Sequence, residues 1–363
     1  MSSRHFRAIG LMSGTSMDGI DAAFLETDGQ AHLVPGPHLN ASYPEQLRSA
    51  LLQLPAKGRD VAGPERELTD LQTEAVRRLC ADHGIDLSTI DVVGFHGQTI
   101  LHDPARRRTW QLGDGQRMAD ALGIPVVNRF RQNDLDHGGQ GAPLAPLYHQ
   151  ALIRAGAIAE PVAVLNIGGV SNLTLVDGGL LFACDCGPGN ALIDDWVRAH
   201  CGVPYDEGGR IAASGRIDHR ALETLLSSAF FRRQGPKSLD RNAFSPEPVR
   251  ALSAQDGAAT LTAFTAAAVA AAAQRFPRPA REWVVVGGGR CNAHLVSALR
   301  QRLRAPVRVA EELGWLGQAI EAQAFAYLAV RSLLKLPLSH PGTTGVREPV
   351  SGGVCWQPSA APP

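Results

Sequence analysis

Lysine is nearly missing from this 363-residue chain: only Lys57, Lys237 and Lys335 occur, and arginine carries the rest of the positive charge. Codon bias accounts for that, although Lys237 lies in a suggestive place. An excess of either charge is missing too, since Lys+Arg and Asp+Glu both number 35. That balance argues against a nucleic-acid or anionic-membrane binder. Cysteine numbers only six, which in a chain this long does not make a disulfide framework, so free thiols are expected. Long hydrophobic runs are lacking. The longest uncharged stretch, Gly257 to Gln274, is mostly alanine and too short and weakly apolar for a membrane span, so a buried helix is expected there. Met1 to Arg7 lead straight into an apolar strand with no signal peptide before it, and a cytoplasmic protein without a membrane partner is expected.

What remains is an ordinary globular composition, 44% hydrophobic and 19% charged, long enough for two domains with a core each. They are expected at 1–158 and 159–363. Phe6 to Leu11 run into a loop of small and hydroxylated residues, and Ala22 to Leu25 return from it. Gly14, Thr15, Ser16, Met17, Asp18 and Gly19 would offer backbone N–H groups and hydroxyls to a phosphate without side-chain bulk. Asp18 could hold Mg²⁺, directly or through water. No Gly-Lys-Ser/Thr follows, so this is not a Walker A loop, and an ordinary hairpin turn is the competing reading. The design recurs at Asn166, Gly168, Gly169, Ser171 and Asn172. A third apolar strand, Trp283 to Val286, runs into Gly287, Gly288 and Gly289. Two related halves facing a nucleotide is the layout of the sugar-kinase, actin and heat-shock-chaperone ATPases. The expected fold is therefore α/β, with two actin-like domains, each a twisted mixed sheet flanked by helices.

Val92 to Phe95 read as a short buried strand that delivers His96, Gln98 and Thr99 at its end. Leu68, Leu71, Ala75 and Leu79 recur at helical spacing. A strand over Leu181 to Cys184 is followed by Asp185, a Gly-Pro-Gly turn and a helix from Ala191. Asp185, at such a strand end, is the candidate general base; helix capping is its structural alternative. Cys184 and Cys186 lack the partners of a metal site and are read as packing residues. His96 and Gln98 suit sugar hydroxyls or local turn bonds. Arg131 suits a carboxylate clamp or plain surface exposure. Glu321 sits in an otherwise apolar helix and points to solvent or into a site. The tail from Gly352 is expected to fray.

At these residues the chain resembles the anhydro-N-acetylmuramic acid kinase family. The matching pieces are Gly10 to Asp21, Gly94 to Thr99, Gly138 to Leu144, Leu165 to Asn172, Asp185 to Asn190, Pro236 to Ser238, Gly287 to Gly289, and Glu321-Ala322 with Ala324 to Ala326. They occur in order across nearly the whole chain. Arg129, Asp136-His137, Cys186, Arg290-Cys291 and Ser339-His340 depart from the family's usual residues. The resemblance implies a bacterial enzyme of peptidoglycan recycling that uses ATP and Mg²⁺. It would open 1,6-anhydro-N-acetylmuramic acid with water and phosphorylate O6, giving N-acetylmuramate 6-phosphate and ADP. Asp185 would be the base, and His96, Gln98, Thr99, Arg131, Gln140 and Glu321 the sugar contacts. A homodimer is expected. Two alternatives stay open: a hexokinase-like kinase of a free sugar hydroxyl, and an ATP-driven module that phosphorylates no sugar.

Overall fold

The computed structural model describes residues 4–14, 17, 19–54, 61–232, 239 and 243–359. The first stretch gives β1 (Phe6–Ser13), β2 (Gly19–Thr27), β3 (Leu33–Ser42), α1 (Glu45–Gln53), α2 (Ala62–Asp82), β4 (Val92–Asp103), β5 (Arg108–Leu112), α3 (Gly115–Leu122), β6 (Val126–Asn128), α4 (Gln132–Asp136) and α5 (Pro146–Ala155). The middle gives β7 (Val162–Ile167), β8 (Val170–Asp177), β9 (Leu180–Pro188), α6 (Ala191–Cys201), α7 (Arg210–Ala213), α8 (His219–Leu226), α9 (Ala254–Ala273), β10 (Glu282–Val286), α10 (Ala293–Arg302) and β11 (Val307–Val309). The end gives α11 (Ile320–Leu333), α12 (Pro341–Thr344) and β12 (Val354–Trp356).

These elements form two compact units, Met1–Ala157 with Ala319–Pro363, and Ile158–Gln318. The division differs from the expected one, because residues 319–363 return to the first unit and do not continue the second. The cause is packing of α11 on β1, β2 and β4. Two glycines let backbone meet backbone there. A Cβ on Gly10 would stand 1.8 Å from the Ala322 carbonyl oxygen, and one on Gly94 would stand 2.1 Å from that of Phe325.

In the first unit the strand order is β12-β6-β4-β1-β2-β3, with β5 paired to β4. β1, β2 and β3 are an antiparallel meander, while β4 runs parallel to β1 and β6 parallel to β4. In the second unit the order is β11-β10-β7-β8-β9. Here β7, β8 and β9 are the meander, and β10 and β11 the parallel strands. One five-stranded plan thus occurs twice. The β1–β2 and β7–β8 turns hold equivalent places in it, as do the ends of β4 and β10.

The first core joins Ile9, Leu11, Val93 and Phe95 of the sheet to Leu68, Val76 and Leu79 of α2 and Met118 of α3. The second joins Leu165, Ile167, Leu173 and Val285 to Ala266 and Val269 of α9 and Leu295 and Leu299 of α10. α9 is long and apolar enough by length and composition to cross a membrane, yet most of it is buried within the second unit. Its neighbours are α6, α7, α8, α10 and β9.

Three elements outrun their sequence reading. β4 continues to Asp103, because β5 pairs with its second half and Gly97, at φ 73°, absorbs the bend. His96, Gln98 and Thr99 therefore lie inside a strand and not in a turn after it. β9 likewise continues to Pro188, so Asp185 is a strand residue paired with Asn172. The tail does not simply fray: Val354–Trp356 adds a strand to β6, and the Trp356 indole donates to Asn128 Oδ1 at 2.8 Å.

Candidate functional site

The residues singled out from the sequence fall into two groups, one in each unit. In the first unit they gather around the β1–β2 turn and the outer half of β4. Ser13 Oγ donates to the Gly19 carbonyl (2.9 Å) and lies 2.5 Å from Tyr43 Oη, and Gln72 Nε2 reaches both hydroxyls. Burial pushes Tyr43 up to about 12, with Ser13 and Gln72 opposing the shift. This buried network ties together the two strand ends that flank the turn. Gln98 Nε2 donates to the Gly14 carbonyl at 3.0 Å, so Gln98 fastens the turn from β4. Its Oε1 is buried without a hydrogen-bond partner among the described residues. Met17 is buried, with left-handed φ 56°. Thr15, Ser16 and Asp18 lie outside the described residues, as does Lys237.

Next along β4, His96 is buried with its Nδ1 2.7 Å from the Gly97 carbonyl. A carbonyl only accepts, so Nδ1 carries the proton and Nε2 is bare. Arg131 then donates to that Nε2 from Nη2 (2.9 Å) and Nε (3.2 Å), and from Nη1 to the Gly141 carbonyl (2.8 Å). Burial first, then the Arg131 charge, holds His96 well below the usual imidazole range. Burial lowers Arg131 to about 10, against the pull of Glu321 and Asp134. Two neutral acceptors thus orient a guanidinium that keeps its charge, which suits recognition of a carboxylate. Glu321, in the first turn of α11, belongs to this unit, where the chain's return brings it within electrostatic reach of Arg131.

The loop after α4 is held by Asp134, a residue that sequence reasoning missed. Its carboxylate accepts from the Gly141 N–H (2.6 Å) and from Thr344 Oγ1 (2.5 Å). Gln140 enters through its backbone, donating to the Thr344 carbonyl (2.8 Å) and accepting from His102 Nε2 (2.9 Å). Burial, then Arg131, lowers His102 to about 4. Thr99 Oγ1 accepts from Gln111 (3.3 Å). No local pattern marks Asp134, because its partners are seven and 210 residues away.

In the second unit three loops meet at one sheet end. The Asn190 N–H donates to the Gly168 carbonyl (2.8 Å) and the Gly189 N–H to the Gly169 carbonyl (3.0 Å). A Cβ on Gly287, whose φ is 74°, would stand 2.2 Å from Asn166 Oδ1, and one on Gly289 would stand 2.4 Å from Ile167. Those glycines are required by packing. Gly168 is different: among the described residues an added Cβ meets only the Val170 carbonyl, at 3.8 Å. Open space above a turn of small residues is what a phosphate needs. Asn190, the other residue missed as a ligand candidate, lines this meeting point, its Nδ2 3.3 Å from where a Gly289 Cβ would be. Ser171 is buried and its hydroxyl donates to the Pro188 carbonyl (2.8 Å), so it joins β8 to β9.

Asp185 lies on the face of β9 opposite Cys184 and Cys186, whose side chains pack in the core. It is half-buried and its Oδ2 accepts from the Leu239 N–H at 2.6 Å. The capping alternative fails, because α6 begins at Ala191 and its N-cap is Asn190. A half-buried strand carboxylate of this kind can take a proton from a bound water or hydroxyl.

A sequence profile described as anhydro-N-acetylmuramic acid kinase matches residues 6–358. A protein of that name from Paramagnetospirillum magneticum is 52% identical over 350 residues, covering 95% of this chain and 98% of the relative. Another, from Rhodospirillum rubrum, is 53% identical over 357 residues, covering 96% and 94%. Among solved structures, a ROK family glucokinase from Streptomyces griseus in complex with glucose and AMPPNP aligns with a TM-score of 0.44 at 16% identity, covering 89% of this chain and 99% of its own.

Proposed function

Because the chain belongs to the anhydro-N-acetylmuramic acid kinase family, we propose that it opens 1,6-anhydro-N-acetylmuramic acid with water and phosphorylates O6 from ATP, in peptidoglycan recycling. It is an ATP-dependent sugar kinase. The observation that carries the reading is Asp185, a half-buried carboxylate on β9, the strand that goes on to close on the Gly168-Gly169 turn through Gly189 and Asn190, within a chain that matches 98% of a curated relative's length.

The chemical problem is that O6 is tied to C1 and is not a free nucleophile. Water adds to C1, the C1–O6 bond breaks, O6 bonds to the γ-phosphorus and ADP departs. Asp185 accepts the proton of the attacking water, an effect worth ~10²–10⁴-fold. The Gly168-Gly169 turn and the Gly287 to Gly289 loop orient ATP phosphates, and the β1–β2 turn, fastened by Gln98, is the equivalent element of the first unit. Arg131, oriented by His96 and Gly141, binds the sugar's lactyl carboxylate. Glu321, Thr99 and the Gln140 loop complete the sugar contacts. Mg²⁺ favours one or two carboxylates with phosphate oxygens and water. Asp18 would be such a donor, directly or through water, and the ion would neutralise phosphate charge. We place the enzyme in the cytoplasm as a homodimer, a state that light scattering after gel filtration checks.

Products formed from the anhydro-sugar in ¹⁸O-water test the reading by mass spectrometry. One label in the sugar is expected. An unlabelled phosphorylated product would move the assignment to a kinase of a free hydroxyl, and ATP loss without a phosphosugar would move it to an ATP-driven module.

A further inference from the structure

The antiparallel meander of the first unit gathers a second set of polar side chains that the kinase chemistry does not use. Phe6 pairs with Thr27 and Arg7 with Glu26, while Glu26 also pairs with Val34. Phe6 and Thr27 are buried. Strand alternation therefore puts His5, Glu26 and His32 together on the outer face, one each from the β1, β2 and β3 side. His32 Nε2 is 3.1 Å from Glu26 Oε1 and His5 Nδ1 is 3.7 Å from it, and the three ligand atoms all lie within 4.8 Å of one another. Tetrahedral zinc with bonds of ~2.0–2.1 Å separates its ligands by about 3.3 Å.

We propose that His5, Glu26 and His32 form a binding site for a borderline divalent transition ion of the zinc type, with water in the fourth position. The donor set is two imidazoles and one carboxylate, which suits zinc and not the oxygen-seeking Mg²⁺. All three side chains keep about a third or more of their surface exposed, so an ion can reach them. The neighbouring cations have other partners: Arg4 pairs with Asp91, and Arg7 lies over the Phe24 ring.

The turn that carries His32 is fixed before any ion arrives. Asp28 Oδ1 accepts from the N–H groups of Gln30, Ala31 and His32, at 2.8, 2.9 and 3.0 Å. From α11, Tyr327 donates to the Gln30 carbonyl (3.0 Å) and Arg331 to that of Gly29 (2.8 Å). The two imidazoles lie stacked, centroids 3.7 Å apart and planes 8° from parallel. Parallel rings cannot both aim in-plane lone pairs at one ion, so binding rotates one of them about its side-chain torsions. The site would tie the start of β1 to the β2–β3 turn.

The test uses the full chain, stripped with chelator and with its thiols alkylated, because Cys201, Cys291 and Cys355 are exposed and bind the same metals. Zn²⁺ titration calorimetry on this protein should show one saturable site. Co²⁺ should give a visible spectrum without thiolate charge transfer. His5→Gln and His32→Gln, on different sides of the meander, should each weaken binding by more than the ~10–100-fold that loss of an outer-sphere partner costs. Equal Zn²⁺ affinity in the wild type and in both variants would overturn the site, as would the absence of saturable binding to the alkylated wild type.

Discussion

Asp185 and Gly168 carry different kinds of evidence, and each supports its own prediction. Asp185→Asn keeps the acceptor for the Leu239 N–H and loses the basicity, so kcat should fall by at least ~10² while ATP still binds; steady-state rates with an ATP-binding isotherm check this, and activity within about tenfold of wild type would remove Asp185 as the base. Gly168→Val enters open space, because among the described residues only one backbone atom stands within 4 Å of its Cβ. The fold should persist and the KM for ATP should rise, since the added bulk occupies the approach to the turn. An unchanged KM would return the loop to an ordinary hairpin. At this scale the sequence made the ligand types readable, because short Gly, Ser and Asp patterns encode local turns. It did not reveal what each side chain bonds. Gln98 reads as a sugar contact, yet its amide goes to Gly14, 84 residues away. Asp134 left no signal, because its bonds are made by the fold.

Among the elements, α11 and the outer half of β4 set the first unit's chemistry. Gly10→Ala would drive a methyl group into the α11 backbone at Ala322. Overpacking of this kind costs ~1–3 kcal/mol, so the melting temperature should drop by several degrees in a thermal scan; an unchanged melt would mean that α11 shifts freely. The polar side of β4 responds to acid. His102 is lowered to about 4, against about 6.5 in an unfolded chain. The unfolded state then binds the proton first, so stability is whole above pH ~6.5 and is lost progressively as pH falls toward 4. The urea midpoint should follow that curve, and His102→Gln should make it shallower, with buried His96 and His149, also lowered, supplying the remaining slope. Helix and strand cores were legible from periodicity, as with α2 and β10. Strand ends were not. β4 and β9 run on past their apolar stretches because partner strands pair with residues whose side chains look like loop residues.

For the molecule as a whole, the doubled strand plan was foreshadowed by repeated glycine turns, but the return of the chain to its first unit was not, since no composition change marks Gln318–Ala319. Residues 158–318 form one continuous compact unit, whereas residues 1–157 lack α11 and β12. Expressed alone, 158–318 should melt cooperatively, and 1–157 should not unless 319–363 are supplied; circular dichroism of the two fragments decides this, and a cooperative melt of 1–157 alone would contradict the role given to α11. The same arrangement sets an order of events on the ribosome. Residues 1–157 emerge first yet cannot finish, because the groove at Gly10 and Gly94 waits for a helix that ends at Leu333. At ~5–20 residues per second the delay is roughly 10–35 s. The later-made inner unit closes during that interval, while the nascent first sheet stands with one face uncovered, a substrate for whatever holdase meets it at the exit tunnel.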